Sequence, residues 1–330
     1  MSLIKSTTYA PDIYRALNGI LLVHKPARIS GKGLLNEFKG RITESLNQYQ
    51  PRPISKRLQI EGDFDEEKRI IEVPNLADHP LVVGPRYAPW ELKMSQVPPY
   101  LAHRSSGLSV FLLGTANKYF LKPMKRARLV SVYQISGRFG YVMDNFFRDG
   151  KIQDKSTYRH IGSGKLDSAL ARIQSTQRER LFDSATVPLD SQEAYELAKA
   201  WPSRPPNMAQ WPVIYRLRCI HLKLPDFKIE VTVANENDNF LAQLSHDIGL
   251  MLKSGAYTES IRRVKMGPFD INDSLTEADW DLQTILNNMS IHNSRHVELH
   301  QYLRECRQAM SIRTSYSPPA EQRDKISRSQ

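Results

Sequence analysis

Apolar residues along the chain fall into short continuous runs and helical stripes, separated by turn-forming residues. The run Gly19-Ile20-Leu21-Leu22-Val23-His24-Lys25 stops at Pro26 and reads as a buried strand. Ser30 then stands where a helix over about 33–46 needs a cap. Leu108 to Leu113 is a second buried run, closed by Gly114, with Thr115 or Asn117 placed to cap a short helix over about 117–124. From Arg128 to Ile135 the pattern alternates towards β, Phe139-Gly140 ends it, and Asp144 to Gly150 supplies a turn. Val213–Leu222 and Phe227–Val233 read as an antiparallel pair of strands. Helical periodicity covers 165–177, 191–198 and 240–252. In the last of these Phe240, Leu241, Leu244, Ile248 and Leu252 form one stripe. Two further helices are expected over about 276–288 and 294–309. Residues 48–57 read as linker, 62–68 as an acidic loop, 201–212 as a Pro-rich loop and 313–330 as a disordered tail.

A chain of 330 residues can bury a real core, and a hydrophobic fraction of 40% with 25% charged residues is ordinary for a globular protein. The formal net charge of +11 is less ordinary and favours a polyanionic partner such as RNA, DNA or an anionic membrane surface. Cys219 and Cys306 are too few for a disulfide framework. No apolar run approaches the roughly 18–20 residues that span a bilayer. Residues 1–16 are poor in acids and contain Ser, Thr and Lys, which suits either a mitochondrial leader or a frayed terminus.

Charge is distributed unevenly. Between Glu91 and Asp144 there is no acid, while Lys93, Arg104, Lys118, Lys122, Lys125, Arg126, Arg128 and Arg138 fall in the same interval, interleaved with Tyr100, Tyr119 and Phe120. Such a segment suits a phosphate backbone; a solvated helical face is the plainer reading. Two apparent motifs carry less. Gly162-Ser163-Gly164-Lys165 lacks the first glycine and the Ser/Thr of a phosphate loop. His292, His296 and His300 share helical spacing, but with no partnering carboxylate or Cys a polar helix face outweighs a metal site.

The stretch from Lys93 to Lys118 resembles the catalytic motif of the TruB family of RNA pseudouridine synthases, roughly Gly-Ala-Leu-Asp-x-x-Ala-Thr-Gly followed by an apolar strand and Gly-x-Ala-Thr-Lys. Leu101, Ser106, Gly107, Gly114, Ala116 and Lys118 fall on matching positions, and the family's nucleophilic Asp falls on Ala102. The resemblance continues in scattered blocks over about 17–290. Lys25-Pro26 closes the opening strand. Tyr133, Gly140, Asp144, Asp149 and Gly150 keep the register of a Tyr-led strand and an Asp-x4-Asp-Gly turn. Phe240, Leu241, Asp247, Ile248 and Gly249 match Tyr-Ile-Arg-x4-Asp-Leu-Gly, with Ala242 at the Arg position, and Gly267-Pro268-Phe269 matches the closing Gly-x-Phe strand. The insert over 48–78 is most similar to the animal mitochondrial branch of the family.

The resemblance implies an α+β fold with a mixed central β-sheet, flanking helices and a cleft. It also implies a domain over 17–275, a helical extension over 276–312 in place of the RNA-binding PUA domain of bacterial members, and no cofactor or metal. In the family the Asp carboxylate is the covalent nucleophile, an Arg pairs with it, and an aromatic wall holds the flipped base. With alanine at both positions of the pair, the expectation is an RNA-binding homologue without catalysis. Its RNA would be a mitochondrial tRNA, rRNA or mRNA, and mitochondrial RNA-processing proteins are expected partners. Lys25, His103, Arg104, Lys122, Lys125, Arg126 and Arg128 are the candidate RNA contacts. Tyr133 is either the base-stacking wall or a half-buried strand tyrosine. Two other readings stay open: an active isomerase with a relocated carboxylate, and a protein scaffold.

Overall fold

In the computed structural model, residues 9–49, 55–62, 69–78, 82, 86–127, 129–185, 190–192, 195, 212–294 and 296–311 are described. The apolar run after Asn18 becomes strand β1 (Gly19–Lys25), preceded by a short helix α1 (Ala10–Ala16) and followed by α2 (Gly31–Gln48). Ser30 caps α2 as its position implies, its Oγ accepting from the Gly33 N–H at 3.0 Å. β5 (Ser106–Leu113) lies antiparallel beside β1, with Leu21 opposite Phe111 and Lys25 opposite Gly107. The short β4 (Met94–Gln96) covers part of the other side of β5.

The remaining strands of the main sheet are β6 (Ser131–Phe139), β9 (Val213–Lys223), β10 (Asp226–Ala234), β11 (Ala256–Met266) and the two-residue β12 (Phe269–Asp270). The sheet order is β1-β5-β11-β6-β10-β9, with β4 and β12 at the side. β5 and β11 pair in parallel and the other pairs are antiparallel, so the sheet is mixed and the fold is α+β. Gly107 is required at the parallel join. Its φ is +112°, and a Cβ there would run into the Arg263 backbone.

Helices cover both faces. Residues 21 and 23 of β1 point to one face and residues 20 and 22 to the other. Leu21 and Val23 pack with α1, α2 and α6 (Leu282–Ser294); Ile20 and Leu22 pack with α3 (Thr115–Ala127) and α7 (His296–Ser311). On the face shared by Leu21, Val23 and Lys25, strands β6, β9, β10 and β11 are covered by α4 (Ser163–Ala185) and α5 (Asp238–Met251). Helices α6 and α7 complete these cores: Ile285 and Met289 are buried with Leu34 and Phe38, and Leu299 is buried with Phe120.

Several elements differ from their sequence expectation. The third strand begins at Ser131 rather than Arg128, which lies outside the described residues. Neither Thr115 nor Asn117 caps α3. Asn18, from the α1–β1 turn, accepts from the Thr115 and Ala116 N–H groups at 2.9 and 3.2 Å. The helix expected from Thr276 starts instead as a single 3-10 turn, Glu277–Asp279, before α6. The linker ends in strand β2 (Lys56–Glu61), which pairs with β3 (Arg69–Pro74) as an exposed ribbon. Two further strands, β7 (Tyr141–Met143) and β8 (Ile152–Lys155), flank the Asp144–Gly150 turn. Residues 63–68 of the acidic loop, most of 191–198 and the loop over 201–211 lie outside the described residues, as does the tail after residue 311.

Candidate functional site

A cavity of about 600 Å³ opens where the β4–β5 loop, the turn between β7 and β8 and the start of α5 converge. Arg28, Ala102, His103, Arg104, Phe147, Asp149, Asp238 and Asn239 line it. The loop bearing Ala102 is anchored on both sides of that residue: Leu101 is buried in the α4–α5 core and Ser105 is fully buried. The Ser105 carbonyl accepts from Lys25 Nζ at 2.6 Å, and its hydroxyl donates to Asp238 Oδ2. His103 is exposed, and its carbonyl accepts from the Arg28 N–H at 2.7 Å.

Lys25 and Arg104 each have an acceptor of their own, whereas Arg28 is exposed at the cavity. Arg104 reaches Asp149 Oδ2 from Nη2 at 2.8 Å and from Nε at 3.0 Å, and its guanidinium lies 4.8 Å over the Phe147 ring. Desolvation pushes the Asp149 carboxyl up, but the Arg104 hydrogen bond and charge outweigh it and hold the group below its ordinary value. Lys25 is fully buried. Burial pushes its ammonium down to about 8, against the opposing pull of Asp238 and with a further push from Arg263.

Behind the loop lies a second buried set. Arg263 has no exposed surface; its Nε donates to the Leu108 carbonyl at 2.8 Å and its Nη1 to the Pro99 carbonyl at 2.7 Å. Its Nη1 also lies 3.5 Å from the Tyr133 hydroxyl, which donates to Glu236 Oε1 at 2.7 Å. Burial raises Glu236 despite the Tyr133 hydrogen bond, and burial raises Tyr133 well above the usual phenol value.

The candidates named from sequence therefore separate into three groups. His103 and Arg104 line the cavity. Lys25 and Tyr133 lie beneath it, and Tyr133, with 2% of its surface exposed, presents no ring face for stacking in this conformation. Lys122, Lys125 and Arg126 project from α3 on the opposite face of the sheet, together with Lys118 and the exposed Tyr119. No carboxylate lies within ion-pair distance of these four α3 cations among the described residues. Ala102 is exposed at the cavity, and Ala242 is fully buried in α5, one helical turn beyond Asp238.

The two apparent motifs dissolve. Lys165 donates to the His160 carbonyl at 2.8 Å, and the three histidines are divided between α6 and α7, with His300 against Phe120 at 5.0 Å.

Sequence reasoning missed Asp238, Ser105, Arg263 and Glu236. A search for a carboxylate between Glu91 and Asp144 could not find one delivered from position 238. The Arg262-Arg263 pair did carry a signal, because strand alternation must turn one of two adjacent arginines inward.

No family model matches the sequence. It is 32% identical over 284 residues to the mitochondrial pseudouridylate synthase TRUB2 of Xenopus tropicalis, covering 84% of this chain and 86% of that one. It is 34% identical over 278 residues to the mitochondrial pseudouridylate synthase TRUB2 of Mus musculus, covering 82% of each. The chain belongs to the TruB family of pseudouridine synthases. Among solved structures it is similar to a chain of the archaeal box H/ACA sRNP Nop10–Cbf5 complex, with a TM-score of 0.43 and 12% identity. That match covers 88% of this chain and 59% of the solved one, so this TruB-family chain spans about three fifths of that protein's length.

Proposed function

We propose that this TruB-family chain binds RNA and has lost uridine isomerisation, acting on mitochondrial tRNA, rRNA or mRNA. The observation that carries the loss is Ala102. It stands on the motif position of the nucleophilic Asp, on a loop pinned by Lys25 and Asp238 and exposed to the cavity. In the family a carboxylate attacks covalently while the base is detached, turned and rejoined through carbon; a methyl group has no electron pair to attack with. Ala242 on the motif's Arg position supports the same reading. An arginine deprived of its Asp would be an unpaired buried cation costing several kcal/mol, so the two charges are expected to be lost together. RNA binding is supported by the unpaired cations of α3, and a mitochondrial site of action by the mitochondrial names of the relatives at about one-third identity. RNA-processing proteins of that compartment are the partners this reading implies.

Asp238 favours a second reading, in which the lost carboxylate has moved to α5, because it lines the same cavity as Ala102. One experiment separates the two. The full chain is incubated for long times at high concentration with uridine-containing RNA, and pseudouridine is measured by mass spectrometry beside a filter-binding titration of the same RNA. Binding without pseudouridine is the expected result. Protein-dependent pseudouridine that disappears in Asp238→Asn overturns the loss of catalysis and establishes the second reading.

A further inference from the structure

The cavity beside Ala102, at about 600 Å³, is large enough for one nucleobase and is lined by charged and polar groups. Asp238 is held in one orientation, since the buried Ser105 hydroxyl donates to its Oδ2. Its Oδ1 has no hydrogen-bond partner among the described residues, and the carboxylate borders the cavity next to Asn239. Lys25 supplies the nearby positive charge while two of its three protons are taken by the Ser105 and Pro26 carbonyls. Across the cavity the Arg104 guanidinium is fixed from behind, lying over Phe147 and ion-paired to Asp149, with 44% of its side-chain surface still exposed. A planar cation braced in this way is a stacking platform for an unpaired base.

The edge that a carboxylate can read is set by chemistry. The Watson–Crick edge of uracil offers one N–H between two carbonyl oxygens, so a carboxylate facing it gains one hydrogen bond and brings its second oxygen against a lone pair. Cytosine and adenine each present one donor, the exocyclic amino group, with a ring-nitrogen acceptor directly beside it. Only guanine presents two adjacent donors, N1–H and the 2-amino group, matching the two oxygens of one carboxylate.

We propose that this cavity is a guanine pocket, taking an unpaired guanosine of single-stranded RNA with its Watson–Crick edge on Asp238 and its face on Arg104. This rests on the RNA-binding reading and adds a base preference to it. In this role Asp238 binds and does not attack.

The test uses the full chain and fluorescently labelled ten-nucleotide RNAs at fixed salt: all-uridine, or the same strand with one central G, inosine, A or C. The single-G strand should bind about tenfold more tightly than the others, the discrimination of one good bidentate contact. Inosine, which lacks the 2-amino group, should lose most of that gain. In Asp238→Asn the preference for the single-G strand over the other strands should vanish. Competition by free GMP against UMP, on the unaltered protein, gives the same answer without depending on a variant that folds. Equal binding of all strands overturns the guanine pocket and leaves RNA binding standing; failure of every strand to bind overturns both.

Discussion

The cavity and helix α3, on opposite faces of the main sheet, hold their cations differently. At the cavity, Lys25, Arg104 and Arg263 are each bound to a carbonyl or carboxylate of the chain itself, and two of the three are fully buried. On α3, Lys118, Lys122, Lys125 and Arg126 are exposed, with no acid in the helix and no ion pair among the described residues. A cation already enclosed by acceptors has lost its hydration and gains little from a phosphate. An exposed ammonium gains by releasing the counterions of a nucleic acid. Lys25 and Arg263 are therefore structural, and the α3 cations are the ones free to attract a polyanion.

The largest effect that would break this contrast is on RNA affinity. Replacing Lys118, Lys122, Lys125 and Arg126 by Glu should weaken binding strongly and flatten the dependence of log affinity on log salt by about 3, at roughly 0.7–0.9 per lost phosphate contact. Filter binding between low and moderate salt measures it. An unchanged slope would show that RNA does not use α3.

A smaller effect sharpens the other side. Tyr133→Phe removes the hydroxyl that donates to Glu236 and leaves that buried carboxylate short of a donor, at a cost of about 1–3 kcal/mol in urea unfolding. RNA affinity should stay the same. A variant of unchanged stability that binds RNA poorly would show that the Tyr133 hydroxyl takes part in RNA binding.

The smallest effect is a dependence on pH. The folded-state pKa of Lys25, about 8, lies below its unfolded value near 10.4, so between these values the unfolded chain binds more protons and stability rises with pH. Burial raises Cys219, Cys306 and Tyr133 and acts in the opposite sense above about pH 9. The Lys25 contribution is therefore read as the difference between the native chain and Lys25→Met. From pH 7.5 to 9.5 the melting temperature should rise more in the native chain; parallel curves would show that the ammonium is not buried as described.

Much of the fold was legible because its signals are local. Ser30, the run ending at Pro26 and the stripe Leu241, Leu244 and Ile248 each depend on residues within one or two turns, and β1, α2 and α5 appear where those patterns put them. The β2–β3 ribbon was not legible. Its strands bury neither face, so Leu58, Ile60 and Ile70 remain exposed and no core-facing alternation marks them. The α3 cap was hidden because Asn18 reaches it from 97 residues away.

At the cavity, the chemistry itself divides in the same way. The order of residues alone showed that the interval from Glu91 to Asp144 holds no acid, and it led to the expectation that Ala102 and Ala242 stand on the motif positions. Tertiary structure decided which cations are already bound, and it set Asp238 beside a loop 133 positions earlier through Ser105. The physical reason is range. Helical and strand periods are set by neighbours a few residues apart, whereas a buried lysine, its carbonyl and a carboxylate from another helix meet only when the sheet closes and excludes water around them.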